Sequence, residues 1–278
     1  MESLGRKMEF GEYKSVVKDL LGFVHKVCVE NGIRYFVAYG TLIGAIRHNG
    51  FIPWDDDIDI WMLGEDYERF VEVFERSTSD YYLLSSENSP HYFNLMVRIC
   101  SKAGILRMKG VTDIENLGPF IDVFRLYKAP AERETRLDYF HQIVALNLDI
   151  KFTLPLRYFK TLPLKGRLGS WYQSVLRLPK RFGVGTAALK QARERLIRQY
   201  ETTSSPYYHS LSERDSSDRR LFLSEEVMNV QPHPFEDIEV LVPSAYDQIL
   251  RRIYGDYMQL PPEAQRVPHH HFIPYWKA

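Results

Sequence analysis

The chain has 278 residues, of which 45% are hydrophobic and 26% charged, a composition typical of a globular protein and not of a disordered one. Its two cysteines, Cys28 and Cys100, exclude a disulfide framework and a zinc site built from four cysteines. No apolar segment follows the first residues, and no apolar run is long enough to cross a bilayer. We therefore expect a cytoplasmic protein.

The first part of the chain alternates between helical and extended patterns. Apolar residues recur at helical spacing before Asn31-Gly32, and beyond Pro53 they alternate with acidic residues at the period of a strand. The predicted elements are a helix over 12–30, a strand over 35–39, a break at Gly40-Thr41, a helix over 42–48, a strand over 57–62 and a helix over 65–75.

The remainder predicts further strands and then mostly helices. Strand patterns occur at 82–84, 95–100, 105–108 and 120–126, and a last apolar stretch at 235–242 leads through Pro243, at a predicted first helical position, into a helix ending near Gly255. We predict an α+β fold with α/β-like character, a mixed sheet flanked by helices. Its predicted parts are a catalytic core (1–130), a largely helical lobe (131–224) and a C-terminal strand and helix that complete the core (225–278).

Charge is unevenly distributed although the net charge is zero. Residues 151–193 hold ten of the 36 basic residues and no acidic one, so the rest of the chain has 26 basic against 36 acidic residues. Aromatic residues are interleaved with these charges, which suits a peripheral contact with anionic lipid. The alternative is a lobe whose basic face closes over an anionic substrate or packs on the acidic remainder of the protein. Nucleic acid is not expected, because no recognised binding module accompanies the charges.

The acidic run before the predicted strand over 57–62 is the main candidate for chemistry. Asp57 and Asp59 would leave the same face of a strand with roots about 6.5–7 Å apart, which suits Mg²⁺ or Mn²⁺. Asp122 is a lone carboxylate in an apolar strand and needs a cation, a hydrogen bond or a proton. A solvated acidic face is the simpler alternative. An EF-hand is excluded, because its glycine position holds Ile60.

Polar residues near this run suggest a phosphate site. Gly40-Thr41 lies between a predicted strand and a helix, where backbone N–H groups can approach a phosphate. Arg47 and His48 follow and could hold donor oxygens, although a surface role at the helix end is equally consistent. Arg98, in an apolar strand, needs an anionic partner if it is buried.

Three blocks of this sequence resemble the LicD family, bacterial phosphocholine transferases of surface polysaccharides. They are residues 39–59 (YGTLIGAIRHNGFIPWDDDID), residues 120–124 (FIDVF), and the region from 235 to about 270. The resemblance implies a nucleotidyltransferase-type fold in which Asp57 and Asp59 form the metal-binding pair and Asp122 is the third acidic residue. Asp55 matches another acidic position of the motif. Arg266, His269 and His270 are weaker candidates for contacts to the donor.

The resemblance also implies a reaction. Distant relatives of the fukutin-related group transfer ribitol phosphate from a CDP donor, so a CDP-alcohol such as CDP-choline is the expected donor, and a glycan or its lipid-linked precursor the acceptor. A glycan hydroxyl would attack phosphorus in line, and Asp122 would either bind metal or take the proton. Two alternatives stay open: a nucleotidyltransferase that uses a nucleoside triphosphate, and a non-catalytic protein of polysaccharide assembly. The histidine run 269–271 suggests a metal tract by composition, but a terminal surface run is the simpler reading.

Overall fold

The computed structural model describes residues 3–77, 80–86, 88, 89, 92, 94–108, 114, 116–151, 185–211, 218–268 and 272–278. Within them lie seven α-helices: α1 (Phe10–Glu30), α2 (Tyr39–His48), α3 (Gly64–Ser77), α4 (Arg133–Lys151), α5 (Thr186–Glu201), α6 (Ser224–Met228) and α7 (Tyr246–Tyr254). The strands are β1 (Leu4–Lys7), β2 (Phe36–Val37), β3 (Asp59–Leu63), β4 (Tyr81–Leu84), β5 (Val97–Ser101), β6 (Gly104–Met108), β7 (Phe120–Ala129), β8 (Tyr207–Ser210), β9 (Leu221–Leu223), β10 (Val230–Phe235), β11 (Ile238–Pro243) and β12 (Phe272–Lys277).

A mixed central sheet organises the molecule and confirms the predicted α+β class. Its strands run in the order β2-β3-β7-β5-β4, and β8 and β9 extend it beside the second half of β7. β3 and β7 are parallel, whereas β5 pairs antiparallel with β7. In this register Asp122 is opposite Asp59 on one side and Arg98 on the other. Two acidic residues and one arginine therefore meet at the start of three neighbouring strands.

The long helix α1 covers the sheet with the face that its sequence predicts. Tyr13, Val17, Leu20, Leu21 and Val24 are buried at helical spacing, and the main apolar core lies beneath them. A small second sheet, β1-β12-β6, brings the end of the chain beside its start. The β10-β11 hairpin lies against α1 and β2.

Some predicted boundaries near the acidic run are wrong. The strand predicted over 57–62 begins only at Asp59, so Asp57 precedes it in a loop. The strand predicted over 35–39 is reduced to β2, because α2 begins at Tyr39 and includes Gly40 and Thr41 in its first turn. The Thr41 hydroxyl accepts a hydrogen bond from the Asp59 N–H at 2.9 Å, which ties this first turn to the start of β3.

The region predicted as a helical lobe contains α4 and α5, which pack around a second apolar cluster with Tyr139, Phe140 and Ile197. It also contributes β8 and β9 to the central sheet, so it is not exclusively helical. Residues 152–184, which hold most of the basic stretch, lie outside the described residues. None of the helices in the described part of the chain has the length and apolar character needed to span a membrane.

The C-terminal region also differs from its predicted pattern. The apolar stretch over 235–242 is interrupted by a two-residue turn at Glu236 and Asp237, which joins β10 to β11. Pro243 ends β11 and does not begin a helix, and α7 starts three residues later.

Candidate active site

Three consecutive carboxylates converge in the loop before β3. One ligand oxygen each of Asp55, Asp56 and Asp57 lies within 4.8 Å of the others. Asp55 and Asp56 are buried, and Asp57 is partly exposed. The loop turns at this point because the Asp55 N–H donates to the Ile52 carbonyl oxygen at 2.9 Å. The sequence prediction included Asp55 and Asp57 but gave Asp56 no role.

Gly40 allows the first turn of α2 to approach this loop. A Cβ atom at position 40 would lie 2.6 Å from Asp55 Oδ2, closer than a carbon and an oxygen can pack. A side chain at position 40 would therefore displace the Asp55 carboxylate from its present position. The prediction that Gly40 admits a phosphate remains open, because Gly40 also lines the adjacent cavity.

Asp122 lies beside Asp59 in the register of the sheet, and a buried arginine balances its charge. Arg98 Nε donates to Asp122 Oδ1 at 2.7 Å, and Arg98 Nη2 donates to Oδ2 at 3.3 Å. The Arg98 guanidinium also stacks on Phe120, 3.7 Å from the ring centre. Arg98 therefore supplies both the cation and the hydrogen bonds that the sequence predicted Asp122 to need, and Asp122 is the anion that Arg98 needs.

Burial, and then repulsion between the carboxylates, raises the pKa values of two aspartates in the site. Burial, followed by the charge of Asp57, raises the pKa of Asp55 to about 8. Burial also raises the pKa of Asp59 well above its usual range, and the charges of Asp57, Asp122 and Asp55 add to this effect. Such crowding of buried carboxylates is an electrostatic pattern that a divalent cation would relieve.

An open cavity of about 630 Å³ lies in front of these carboxylates. Asp55, Asp57 and Asp59 lie along it, together with Gly40 in the first turn of α2. The opposite wall is the C-terminal segment from Tyr254 to Gln265. Neither Asp122 nor Arg98 is one of the described residues that line this cavity. Asp122, beside Asp59 on the neighbouring strand, therefore does not line the cavity.

The basic residues predicted to contact a donor have other partners. Arg47 Nη1 donates to the backbone oxygens of Tyr257 and Gln259, and its Nε donates to His48 Nε2. Burial and the neighbouring Arg47 charge lower the pKa of His48. Arg266 donates to the Pro261 oxygen at 2.9 Å and lies over the Trp54 ring. Of this group, only Arg47 is part of the cavity lining among the described residues. The histidines at 269–271 lie outside the described residues.

Several residues that shape the site carry no sequence signal. Lys14 of α1 donates to the Ile52 and Pro53 oxygens at 3.2 and 3.1 Å. Glu236, in the β10-β11 turn, accepts from the Phe51 N–H at 3.0 Å. Both fix the segment that leads into the acidic loop, although they are distant from it in sequence.

The sheet and its aspartates define a class of domain, and comparison with known proteins identifies it. Residues 32–165 match the family model described as "LicD/FKTN/FKRP, nucleotidyltransferase domain". The chain therefore carries a nucleotidyltransferase domain of the LicD family, as the sequence resemblance predicted.

Individual relatives agree with this assignment. "Lipopolysaccharide cholinephosphotransferase LicD" of Haemophilus influenzae is 28% identical over 269 residues, which cover 95% of this chain and 97% of that protein. "Ribitol 5-phosphate transferase FKRP" of Homo sapiens is 38% identical over 50 residues, or 18% of this chain and 10% of that protein. "Uncharacterized protein RP689" of Rickettsia prowazekii is 31% identical over 99 residues, or 28% of this chain and 37% of that protein.

Proposed function

We propose that the chain is a metal-dependent phosphotransferase that moves a phosphoalkanol group, phosphocholine or a similar one, from a CDP-activated donor to a hydroxyl of a glycan or its lipid-linked precursor. The observation that carries the proposal is the convergence of Asp55, Asp57 and Asp59 along one cavity of about 630 Å³. A relative named a cholinephosphotransferase, aligned over nearly its whole length, supports the transferred group.

The acidic loop fits a divalent cation such as Mg²⁺ or Mn²⁺. Its carboxylate oxygens lie within 4.8 Å of one another, and the pKa of Asp55 is raised to about 8 by burial and by Asp57. Carboxylate oxygen is the ligand type that these ions prefer. Asp55, Asp56, Asp57 and Asp59 are the residues that would hold the ion, which would neutralise the diphosphate of the donor.

The residues of the chain would then orient the reactants and accept a proton. The acceptor oxygen forms a bond to phosphorus while the bond between phosphorus and the CMP oxygen breaks, and CMP leaves. We assign the acceptor's proton to Asp59 in preference to Asp122. Asp59 lines the cavity, whereas Arg98 donates to both oxygens of Asp122. Asp122 would act as a positioning residue on the strand beside Asp59.

The donor has matching features around the cavity. The first turn of α2, at Gly40, offers backbone N–H groups and the positive end of a helix to the diphosphate. Trp54 and Tyr254 supply aromatic surface against which a pyrimidine base can stack. Arg47 contributes indirectly, because it holds the wall formed by Tyr257 and Gln259.

One assay separates this function from its alternatives. Purified protein with Mg²⁺ is incubated with a panel of CDP-alcohols or with nucleoside triphosphates, and CMP and pyrophosphate release are measured with and without glycan acceptors. CMP release that depends on the alcohol and the acceptor is expected. Pyrophosphate release would favour the nucleotidyltransferase alternative, and absence of both would favour a non-catalytic role. An Asp57→Asn variant is the control for contaminating activity.

Membrane attachment through 151–193 stays a separate proposal. Lys190 donates to the Ser86 oxygen at 3.0 Å, and Arg193 is buried against Asn147, so these two basic residues pack within the protein. The proposal therefore depends on the segment 152–184. Sedimentation with anionic vesicles, weakened by salt, is the expected result. Equal sedimentation with neutral vesicles, or none with either, would contradict it.

A further inference from the structure

A second cavity, of about 670 Å³, lies on the face of the central sheet opposite Asp122. Arg125 and Tyr127 of β7 line it, and their odd separation from Asp122 directs them to the other face of the strand. Helix α3 forms one wall and α5 the other. No described residue lines both this cavity and the one beside the acidic loop. The second cavity is therefore a separate site, and the role given to it below rests on the proposed function.

Two arginines of the second cavity have carboxylate partners, whereas Lys190 and Arg193 donate to uncharged oxygens of Ser86 and Asn147. Arg125 Nη2 donates to Glu68 and to Glu201, each at 3.1 Å. On α5, Arg198 Nε donates to Glu194 Oε1 at 3.2 Å. A phosphate or a nucleotide would have to compete with these carboxylates for the arginines. An uncharged ligand can enter without breaking an ion pair.

The walls also present polar groups that have capacity left. Within the described chain, neither the Glu75 carboxylate on α3 nor the Gln191 side-chain amide on α5 is assigned a hydrogen bond, and both line the cavity. A carboxylate accepts only, whereas an amide both donates and accepts. Ligand hydroxyls, which do both, match this pair. Tyr67 and Tyr127 add aromatic surface to the walls.

We propose that the second cavity binds a short neutral saccharide. Its volume is within the range of small-ligand pockets. The carboxylates on Arg125 and Arg198 disfavour an anion there. The exposed Glu75 carboxylate and Gln191 amide suit the hydroxyls of a sugar ring. In a protein acting on glycans, such a site would hold sugar units remote from the reacting hydroxyl and increase affinity through a second point of attachment.

Binding is tested by NMR titration of the full-length, isotope-labelled protein with maltotriose, cellotriose and triacetylchitotriose. At least one trisaccharide should shift amide signals of α3 and α5 while those of the acidic loop stay in place. A Glu75→Ala/Gln191→Ala variant should bind it about tenfold more weakly, from the loss of two hydrogen bonds. A Glu72→Ala/Arg195→Ala variant, changed at exposed positions of the same two helices, should bind like the wild type.

Three results would overturn the proposal. They are absence of shifts with all three trisaccharides, equal affinity in the wild type and the Glu75→Ala/Gln191→Ala variant, and shifts of α3 and α5 caused by CMP or inorganic phosphate in place of sugars. Thermal unfolding of each variant checks that the fold is intact. The CMP-release assay is a separate measurement, so failure of the saccharide site and failure of the proposed function can be told apart.

Discussion

The pair formed by Arg98 and Asp122 gives the sharpest prediction about the centre of the sheet. The two side chains are only 8% and 5% exposed, and two hydrogen bonds join them. Replacing Arg98 by Met leaves the Asp122 carboxylate buried without its partner. Breaking a buried ion pair from one side costs about 3–5 kcal/mol. For a chain of this size that corresponds to a fall of roughly 10 °C in the unfolding temperature.

The double variant Arg98→Met/Asp122→Leu separates structure from catalysis. It replaces both charges by apolar groups of similar volume, a change that is often neutral for stability. We expect its urea midpoint to return close to that of the wild type, whereas the single Arg98→Met variant unfolds at clearly lower urea. If Asp122 positions Asp59 through its charge, the double variant stays folded but loses most transfer activity. A cost below about 1 kcal/mol for Arg98→Met would refute the reasoning, because another group would then compensate Asp122.

Three further predictions concern the cavity and the proposed metal site. Asp57→Asn should abolish transfer at saturating Mg²⁺ and Mn²⁺. It should not lower the unfolding temperature in EDTA, because it removes one charge from a repulsive cluster. The Asp59→Asn variant should also be inactive, and near-normal turnover of either variant would contradict the metal assignment. The pKa of Asp55, raised to about 8 by burial and Asp57, lies above the value of about 4 in the unfolded chain. Between these values the folded state retains a proton that the unfolded state releases, so in EDTA the free energy of unfolding should fall by up to a few kcal/mol as the pH rises from about 4 to about 8. Thermal unfolding measured at a series of pH values should show this loss of stability in EDTA and not in Mg²⁺. The same dependence on pH in EDTA and in Mg²⁺ would argue against metal binding at Asp55. Arg47→Ala should raise the KM for the donor several-fold with little change in kcat, because Arg47 supports the cavity wall. If steady-state kinetics instead show a large loss of kcat at constant KM, Arg47 contacts the reacting phosphate.

Patterns within one element predicted much of this fold. The apolar stripe of α1 and the apolar run of β7 were recognisable because their burial follows the helical period and a continuous strand. The acidic run was informative for a similar reason, since its residue types and spacing suit a cation. The start of β3 was misplaced because Asp57 continues the alternation, whereas strand pairing begins at Asp59.

What the sequence concealed are contacts between distant segments. The β10-β11 turn consists of Glu236 and Asp237, which lack the usual asparagine and glycine of a tight hairpin. Glu236 adopts a φ of +53°, and its N–H donates to the Asn49 oxygen at 2.7 Å, so tertiary contacts stabilise this conformation. Arg98 and Asp122 were each recognised as needing a partner. Only the antiparallel register of β5 and β7 shows that they need each other.

The support of the acidic loop from both ends of the chain limits how the protein can be dissected. Lys14 lies before the region 32–165 that defines the family domain, and Glu236 lies far beyond it. The cavity wall from Tyr254 to Gln265 is also outside that region. An excised fragment with those limits would keep every aspartate of the site, yet the loop would lose two of its anchors and the cavity one side. Swapping modules between LicD-family proteins should therefore exchange the N-terminal helix and the C-terminal segment together with the aspartate-containing centre, as one unit.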